Sequence, residues 1–381
     1  MKHKGYKKAV VKILGPGKAQ YLRISLFCIV ISLIAGSVLL LILGKNPLEG
    51  YVSILQGAGF IPKARYAGHK SMFTDFMSLV NYTTPMIFAS LSFAVAMRCG
   101  IFNINISGMM LFSGFIASIT IGYSSIPAPL AQILVILIAV VAGACSGALI
   151  GFLKHKFNAN EVVISIMFNY IVSYVISFFI QTMFINPTTR QSERVGENAM
   201  LTGIDTMIGD LRMDVSYVFP LAVIAVILIS FMFSKTRIGF ELKAVGMNHH
   251  ASRYAGIKIG RSVIFSMALS GVLAGLAGVS YYMGTFASIQ PRVIPSLGFD
   301  SIAVALLGNN NPFGCFLASF LVMTIRNGTT YMSSRLGVLR EIASLITGIL
   351  LLFSACGGAF KALADKYHEE LANDDENGGG K

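Results

Sequence analysis

The sequence contains no tryptophan and very little charge: only 12% of its 381 residues are Asp, Glu, Lys or Arg. Soluble domains average about 25%, while 55% of this chain is hydrophobic. A deficit of that size excludes a soluble core and predicts an all-α, polytopic protein in a lipid bilayer. Without Trp, any aromatic belt at the membrane surfaces must come from the 14 Tyr. Histidine is scarce too, and His3, His69, His155, His249, His250 and His368 all fall in loops or tails. A membrane hydrolase or metal enzyme needs a Ser/His pair or a His/Glu cluster within its spans. That class is argued against, and no catalytic or metal-ligating residue is expected.

Ionisable groups are almost missing from the apolar runs. Asp300 and Arg326 are the exceptions, with Asp75 and Glu161 at span edges. A proton-coupled carrier needs protonatable groups along its path, so the shortage argues against one. Cys28, Cys99, Cys145, Cys315 and Cys356 form no CxxC and lie in or beside apolar runs, where they read as small buried hydrophobes. No GxxxxGK[ST] occurs, so this chain binds no ATP through a Walker loop and no cofactor is expected on it. The net charge of +13 would suggest nucleic acid in a soluble protein. Here the basic residues cluster beside apolar runs, which orientation in the membrane explains without nucleic acid.

Ten apolar segments follow in order, near 24–43, 77–97, 100–121, 129–153, 161–186, 216–234, 263–284, 297–308, 313–331 and 341–358. Residues 1–23 carry seven Lys or Arg and no acid, and read as a basic cytoplasmic N-terminus. The run from Ile24 is about twenty residues long without a small-residue cleavage site, which favours a retained span over a signal peptide. Residues 24–358 form the transmembrane domain, and 359–381 read as an acidic, disordered cytoplasmic tail. Ten crossings put both termini inside, with nineteen of the thirty Lys and Arg inside and ten outside. Within this frame 44–76 and 187–215 are polar outer stretches, and NPLEGYVSILQGAG in the first reads as an amphipathic interfacial helix. Gly143, Gly147 and Gly151, and again Gly271, Gly275 and Gly278, give two helices small faces for close packing.

Three stretches stand out. The basic loop 235–261 lies between two long apolar runs and holds six Lys or Arg against Glu241 alone. Asn248 is placed to cap a short helix, Ala251, Tyr254 and Ala255 share one face of it, and Gly256 is placed to stop it. Such a loop is either purely topogenic or a docking surface for a cytoplasmic partner, and the helix signature favours docking. The other two are interrupted apolar segments, one in each half. GIFNINISG (100–108) opens the third segment. SLGFDSIAVALLGNNNPFG (296–314) offers about twelve apolar residues, a helix of about 18 Å against a hydrocarbon core of about 30 Å. Short, Gly-interrupted segments in corresponding halves point to a midplane solute site. The solute-path candidates are Phe102, Asn103, Asn105, Ser107, Phe299 and Asp300. The Asn and Ser side chains would offer neutral hydrogen bonds to an uncharged polar solute, or merely satisfy loosened backbone.

At these motifs the chain resembles a permease subunit of bacterial ATP-binding-cassette importers, in the branched-chain amino acid/simple sugar permease superfamily. Within that superfamily it looks most like the nucleoside permease branch. RCGIFNINISG resembles that branch's RAGLFNIGxEGQ. AVGMNHHASRYAGIKIGRSVIFSMALSGVLAGLAG resembles xxGxNxxAARYAGI…SGxLAGLAG, and GFDSIAVALLGNNNPFG resembles GFDGIAVALLGxxxPxG. The resemblance implies a ten-helix subunit of the bacterial plasma membrane. It also implies a homologous second permease, a cytoplasmic ATPase that binds ATP and Mg, and an extracellular solute-binding lipoprotein. The loop Ala244–Ile257 would be the coupling helix, opened by Ala244, with Gly246, Asn248, Ala251, Arg253, Tyr254, Ala255 and Gly256 matching the motif. Asn105, Ser107 and Met109 stand where that branch has Gly, Glu and Gln. Import of a sugar or a branched-chain amino acid, and an ATP-independent channel or carrier, are the alternatives.

Overall fold

The computed structural model describes residues 7, 10–17, 20–66 and 68–378. Its elements are α1 (Gln20–Ile42), α2 (Pro47–Gly57), α3 (Met72–Arg98), α4 (Ile106–Ala117), α5 (Ala128–Phe157), α6 (Glu161–Met183), β1 (Thr202–Ile208), β2 (Leu211–Ser216), α7 (Phe219–Lys235), α8 (Arg237–Met247), α9 (His249–Tyr254), α10 (Ile259–Val279), α11 (Leu297–Leu307), α12 (Pro312–Leu336), α13 (Arg340–Ala355) and α14 (Gly357–Gly378). Single π-type turns continue α4 over Ser118–Gly122 and α10 over Ser280–Phe286.

The helix α3 is the axis of the bundle. Its most apolar stretch is 94% buried, against 28% for α1 and 39% for α5 and α6, so the latter three turn a face outward to lipid. A helix enclosed on every side tolerates polar residues only where each finds a partner. Thr83 and Thr84 donate back to Leu79 O and Val80 O at 2.7 and 2.9 Å, and Ser90 to Ile87 O at 3.0 Å. Ser92 and Ser270 each donate to the other's carbonyl oxygen, at 2.7 and 2.8 Å, which ties α3 to α10.

The two small-residue faces meet one another. A Cβ on Gly143 would collide with Gly271 O, one on Gly147 would collide with Met267 O, and one on Gly275 would collide with Ala139 O. The backbones of α5 and α10 therefore touch, as small-residue interfaces in membranes allow.

Among the described residues six helices are long and apolar enough to cross a membrane, or seven if the bent pair α7–α8 counts as one. All ten apolar segments are helical, and the other three fail the test for separate reasons. α4 with its π turn and α11 are short, and α12 is polar in its second half. The expected interfacial helix forms as α2, capped by Asn46, whose side chain accepts from Leu48 N. It packs into the bundle: a Cβ on Gly57 would lie 2.9 Å from Gly328 Cα of α12.

Two expectations need correction. The outer stretch 187–215 contains a hairpin, β1 antiparallel to β2, turning at Gly209 with φ +63°. The alternation in TGIDTMI and LRMDVS was masked by the polar composition around it. The tail expected to be disordered is helical to Gly378, and 379–381 lie outside the described residues. Two of its acids find partners near the N-terminus: Lys7 Nζ lies 2.7 Å from Glu370, and the Gln20 amide donates to Asp365 at 2.6 Å. Phe360 meets Phe27 edge-on at 5.4 Å. The cysteines are all free: Cys28, Cys99 and Cys315 are buried as read, whereas Cys145 faces outward.

Candidate functional site

The basic loop folds as a knuckle of two helices rather than the one expected. At Thr236 the chain bends by 74° from α7 into α8. Thr236 accepts from Gly239 N at 3.2 Å, and Gly239 lies so close to Met232 O that no Cβ fits. Asn248 is extended and caps α9 as read from the sequence, accepting from Ala251 N at 3.0 Å. Gly256, at φ +79°, ends the knuckle.

Ala251, Arg253, Tyr254 and Ala255 all lie exposed on its outer side, with Tyr254 94% and Met247 87% accessible. Large apolar side chains held this far into solvent mark a surface made for a partner. Ala244 is half-buried on the flank, and Leu242 and Val245 anchor the knuckle in the core.

Beneath the knuckle lies the start of the first interrupted segment. Gly246 stacks on the turn Arg98–Gly100: a Cβ there would collide with Arg98 O and stand 2.9 Å from Gly100 N. Gly100 itself has φ +74°, which a side chain would strain. Arg98 Nε then donates to Asn310 O at 3.0 Å, so the end of the second interrupted segment joins the same cluster.

From Gly100 the chain runs without helix to Asn105, and α4 begins. Asn103, Asn105 and Ser107 are all fully buried. Asn103 donates to Ser270 Oγ and accepts from Asn105 N, both at 2.9 Å. Ser107 donates to Pro295 O at 2.9 Å. These side chains satisfy loosened backbone and one another, which is the second of the two readings offered above. Asn105 differs: neither its amide oxygen nor its nitrogen has a partner. Asn169, unnoticed in the sequence, clamps the segment by accepting from Gly108 N at 2.7 Å and donating to Ile104 O at 3.3 Å. Phe102 is half-buried and meets Phe93 edge-on at 5.3 Å.

The two interrupted segments touch. Gly298 packs on Ser107, and a Cβ there would be 2.6 Å from Ser107 N. Two residues further on, Asp300 pairs with Arg326 of α12 at 2.5 Å, and Arg326 Nη2 donates to Ser296 Oγ at 3.2 Å. This pair opens on a cavity of about 480 Å³ lined also by Thr329, Thr330 and Thr347. Phe299 is 42% exposed and is not among the residues lining it. Of the six solute-path candidates, Asp300 alone reaches this cavity. Of what the sequence reading missed, Thr330 and the use made of Arg326 carry a weak signal, a polar i, i+4 pair inside segment nine, and Ser296 carries none.

A family model described as branched-chain amino acid transport system / permease component matches residues 76–355, from the first turns of α3 to the end of α13. The chain belongs to this permease family. The nucleoside ABC transporter permease protein NupB of Lactococcus lactis subsp. cremoris is 34% identical over 89% of this chain and 92% of its own. The guanosine ABC transporter permease protein NupP of Bacillus subtilis is 31% identical over 93% and 99%. NupC, a second nucleoside ABC transporter permease protein of the same Lactococcus strain, is 27% identical over 64% and 78%. The permease is thus a multi-pass membrane protein and a transport component, not an enzyme. The matched region holds the knuckle, both interrupted segments and the Asp300–Arg326 pair.

Proposed function

We propose that this permease forms the membrane pathway of an ATP-driven nucleoside importer in the bacterial plasma membrane. A separate cytoplasmic ATPase, carrying ATP and Mg, drives it through the knuckle Ala244–Ile257. A second, homologous permease completes the pathway, and an extracellular lipoprotein delivers the solute. The nucleoside reading draws on the likeness to NupB and NupP, a nucleoside and a guanosine permease, and the paired subunit on NupB and NupC occurring in one strain.

One observation carries the coupling: the exposed knuckle rests, backbone on backbone, on the Arg98–Gly100 turn that leads into the first interrupted segment. A push on Tyr254 and Ala251 is transmitted through Gly246 to Gly100 with no flexible side chain between them. Rigid contacts of this kind move discrete elements rather than dissipating displacement.

Ten crossings with both termini inside are supported by how contacts sort. Stretches expected inside touch one another, as in Arg98 with Asn310, Gly100 with Gly246, and Ser25 with Leu307 O at 2.8 Å. Stretches expected outside do likewise: His69 with Asp210 O at 3.0 Å, Val195 N with Ala287 O at 2.9 Å, and Lys63 over the Tyr331 ring at 4.6 Å.

The test is Ala251→Glu, which places charge on the exposed face and disturbs no internal contact. Membrane insertion should be normal, crosslinking to the ATPase should disappear, and ATP-driven nucleoside uptake should fall at least about tenfold. Unchanged uptake, or passage of solute through liposomes containing this permease alone, would overturn the proposal. A solute-binding partner that takes no nucleoside would redirect the cargo to a sugar or a branched-chain amino acid.

A further inference from the structure

The second half of α12, TIRNGTTYMSSR (324–335), is polar although its first half is apolar. Arg326, Thr330 and Ser334 recur at four-residue intervals and form one stripe, with Asn327 beside it. Two cavities open onto this stripe and share Thr330. One is the cavity of about 480 Å³ at Asp300 and Arg326. The other, about 540 Å³, is lined by Lys63, Asp75, Asn327, Tyr331 and Ser334. Both volumes lie within the roughly 300–1,000 Å³ of small-molecule sites. The second cavity holds its own ion pair, Lys63 with Asp75 at 2.7 Å. The two therefore form consecutive polar compartments along one helix.

The inner pair is too open to be a sealed structural salt bridge. The side chains of Arg326 and Asp300 keep 40% and 23% of their surface accessible. Charges among spanning helices, left this open, cannot face hydrocarbon and must face water or a polar ligand. Their bonding capacity is also only partly used. Arg326 directs two of its five N–H groups, to Asp300 and Ser296, and Asp300 binds Arg326 through Oδ2.

We propose that this cavity is the recognition station for the ribose of a passing nucleoside, with Asp300 accepting hydrogen bonds from the vicinal 2′- and 3′-hydroxyls. This inference rests on the nucleoside reading above and adds the group that is recognised and the residue that recognises it. A carboxylate with a free oxygen is the acceptor a cis-diol requires. The remaining guanidinium N–H groups and the Thr330 hydroxyl suit the ring oxygen or a base carbonyl. The outer cavity at Lys63 and Asp75 is the approach to the station along the α12 stripe.

The experiment uses the complete transporter, with partner permease, ATPase and binding protein, in proteoliposomes. ATP-driven uptake of a ribonucleoside, its 2′-deoxy form and its 2′,3′-dideoxy form is compared in the wild type, in Asp300→Asn, and in the charge-swapped double variant Asp300→Arg with Arg326→Asp. The wild type should prefer the ribonucleoside. Asp300→Asn should shrink that preference about tenfold or more, the effect of losing a hydrogen bond to a charged group, and the swap should not restore it. Retained preference in Asp300→Asn, or full restoration by the swap, would show the pair to be structural and sink the site alone. A wild type that moves none of the three nucleosides would remove the cargo reading and the diol with it. Should Asp300→Asn fail to assemble, Thr330→Cys decides. A membrane-impermeant thiol reagent should label it above the unmodified chain, and added nucleoside should slow the labelling. No labelling, or labelling indifferent to nucleoside, would overturn the inference.

Discussion

The two interrupted segments occupy equivalent places in the two halves, yet one is sealed and the other open. Around Asn103, Asn105 and Ser107 every polar side chain is fully buried. Around Asp300 the pair with Arg326 opens on a cavity of about 480 Å³. The sealed segment starts directly under the exposed knuckle, and the open one begins where the sealed one presses on it, Ser107 against Gly298. The difference suggests a division of labour: the first segment is a strut carrying displacement from Gly246 to Ser107, and the second presents chemistry to the solute. The fully buried side chains of the strut, Asn103, Asn105 and Ser107, are all neutral, since an ion pair without water access would be costly there.

The largest effect should come from cutting the strut at its base. Gly246→Leu puts a side chain where Arg98 O and Gly100 N already lie. Either the knuckle lifts from the turn or α8 shifts. Nucleoside-stimulated ATP hydrolysis should separate from transport: the ATPase still binds the outward side of the knuckle, but uptake should fall by about two orders of magnitude. Crosslinking to the ATPase together with uptake assays would check this. Coupled transport surviving at wild-type rate would mean that force travels by another route.

A smaller and more discriminating effect lies inside the strut. Asn103 makes two hydrogen bonds, to Ser270 and from Asn105 N, whereas the Asn105 side chain makes none. Removing a bonded partner strands buried groups and costs about 1–3 kcal/mol for each group left unpaired, while replacing an unpaired polar group by an apolar one is near neutral. Asn103→Leu should therefore lower thermal stability of the purified permease clearly, and Asn105→Leu should leave it unchanged or raise it. Equal losses in both variants would show that Asn105 has a partner in the working protein, and the strut would then be a site as well.

How much of this was readable in the sequence follows the same divide. Local signals were legible: Asn248 as a cap, Gly256 as a stop, the small faces Gly143–Gly147–Gly151 and Gly271–Gly275, and all ten apolar helices. Each depends on residues a few positions apart, where propensity and periodicity act. What could not be read depends on partners far along the chain. Nothing near Asn103 says that Ser270 will consume its amide, and nothing near 359–378 says that Lys7 and Gln20 will meet Glu370 and Asp365. The interruption motif marked both segments as special, but only the fold decides which one faces a cavity. Arg326 was visible as the lone arginine inside a span, yet its use required knowing that α11 and α12 lie side by side.

The smallest effect supplies the control for the open segment. Arg237 and Glu241 form a second guanidinium–carboxylate pair, at 2.8 Å and one helical turn apart on α8. The Arg237 side chain is 91% exposed, against 40% for Arg326. An exposed i, i+4 pair in water contributes about 0.3–0.5 kcal/mol and is screened by salt. Arg237→Gln should thus shift thermal stability barely beyond error and leave preference among nucleosides untouched. Arg326→Gln, which keeps length and polarity but removes the same charge, should alter that preference because its carboxylate partner then faces the cavity alone. If both substitutions behaved alike, the distinction between the two pairs would rest on chain position rather than on surroundings, and the contrast between sealed strut and open station would lose its physical basis.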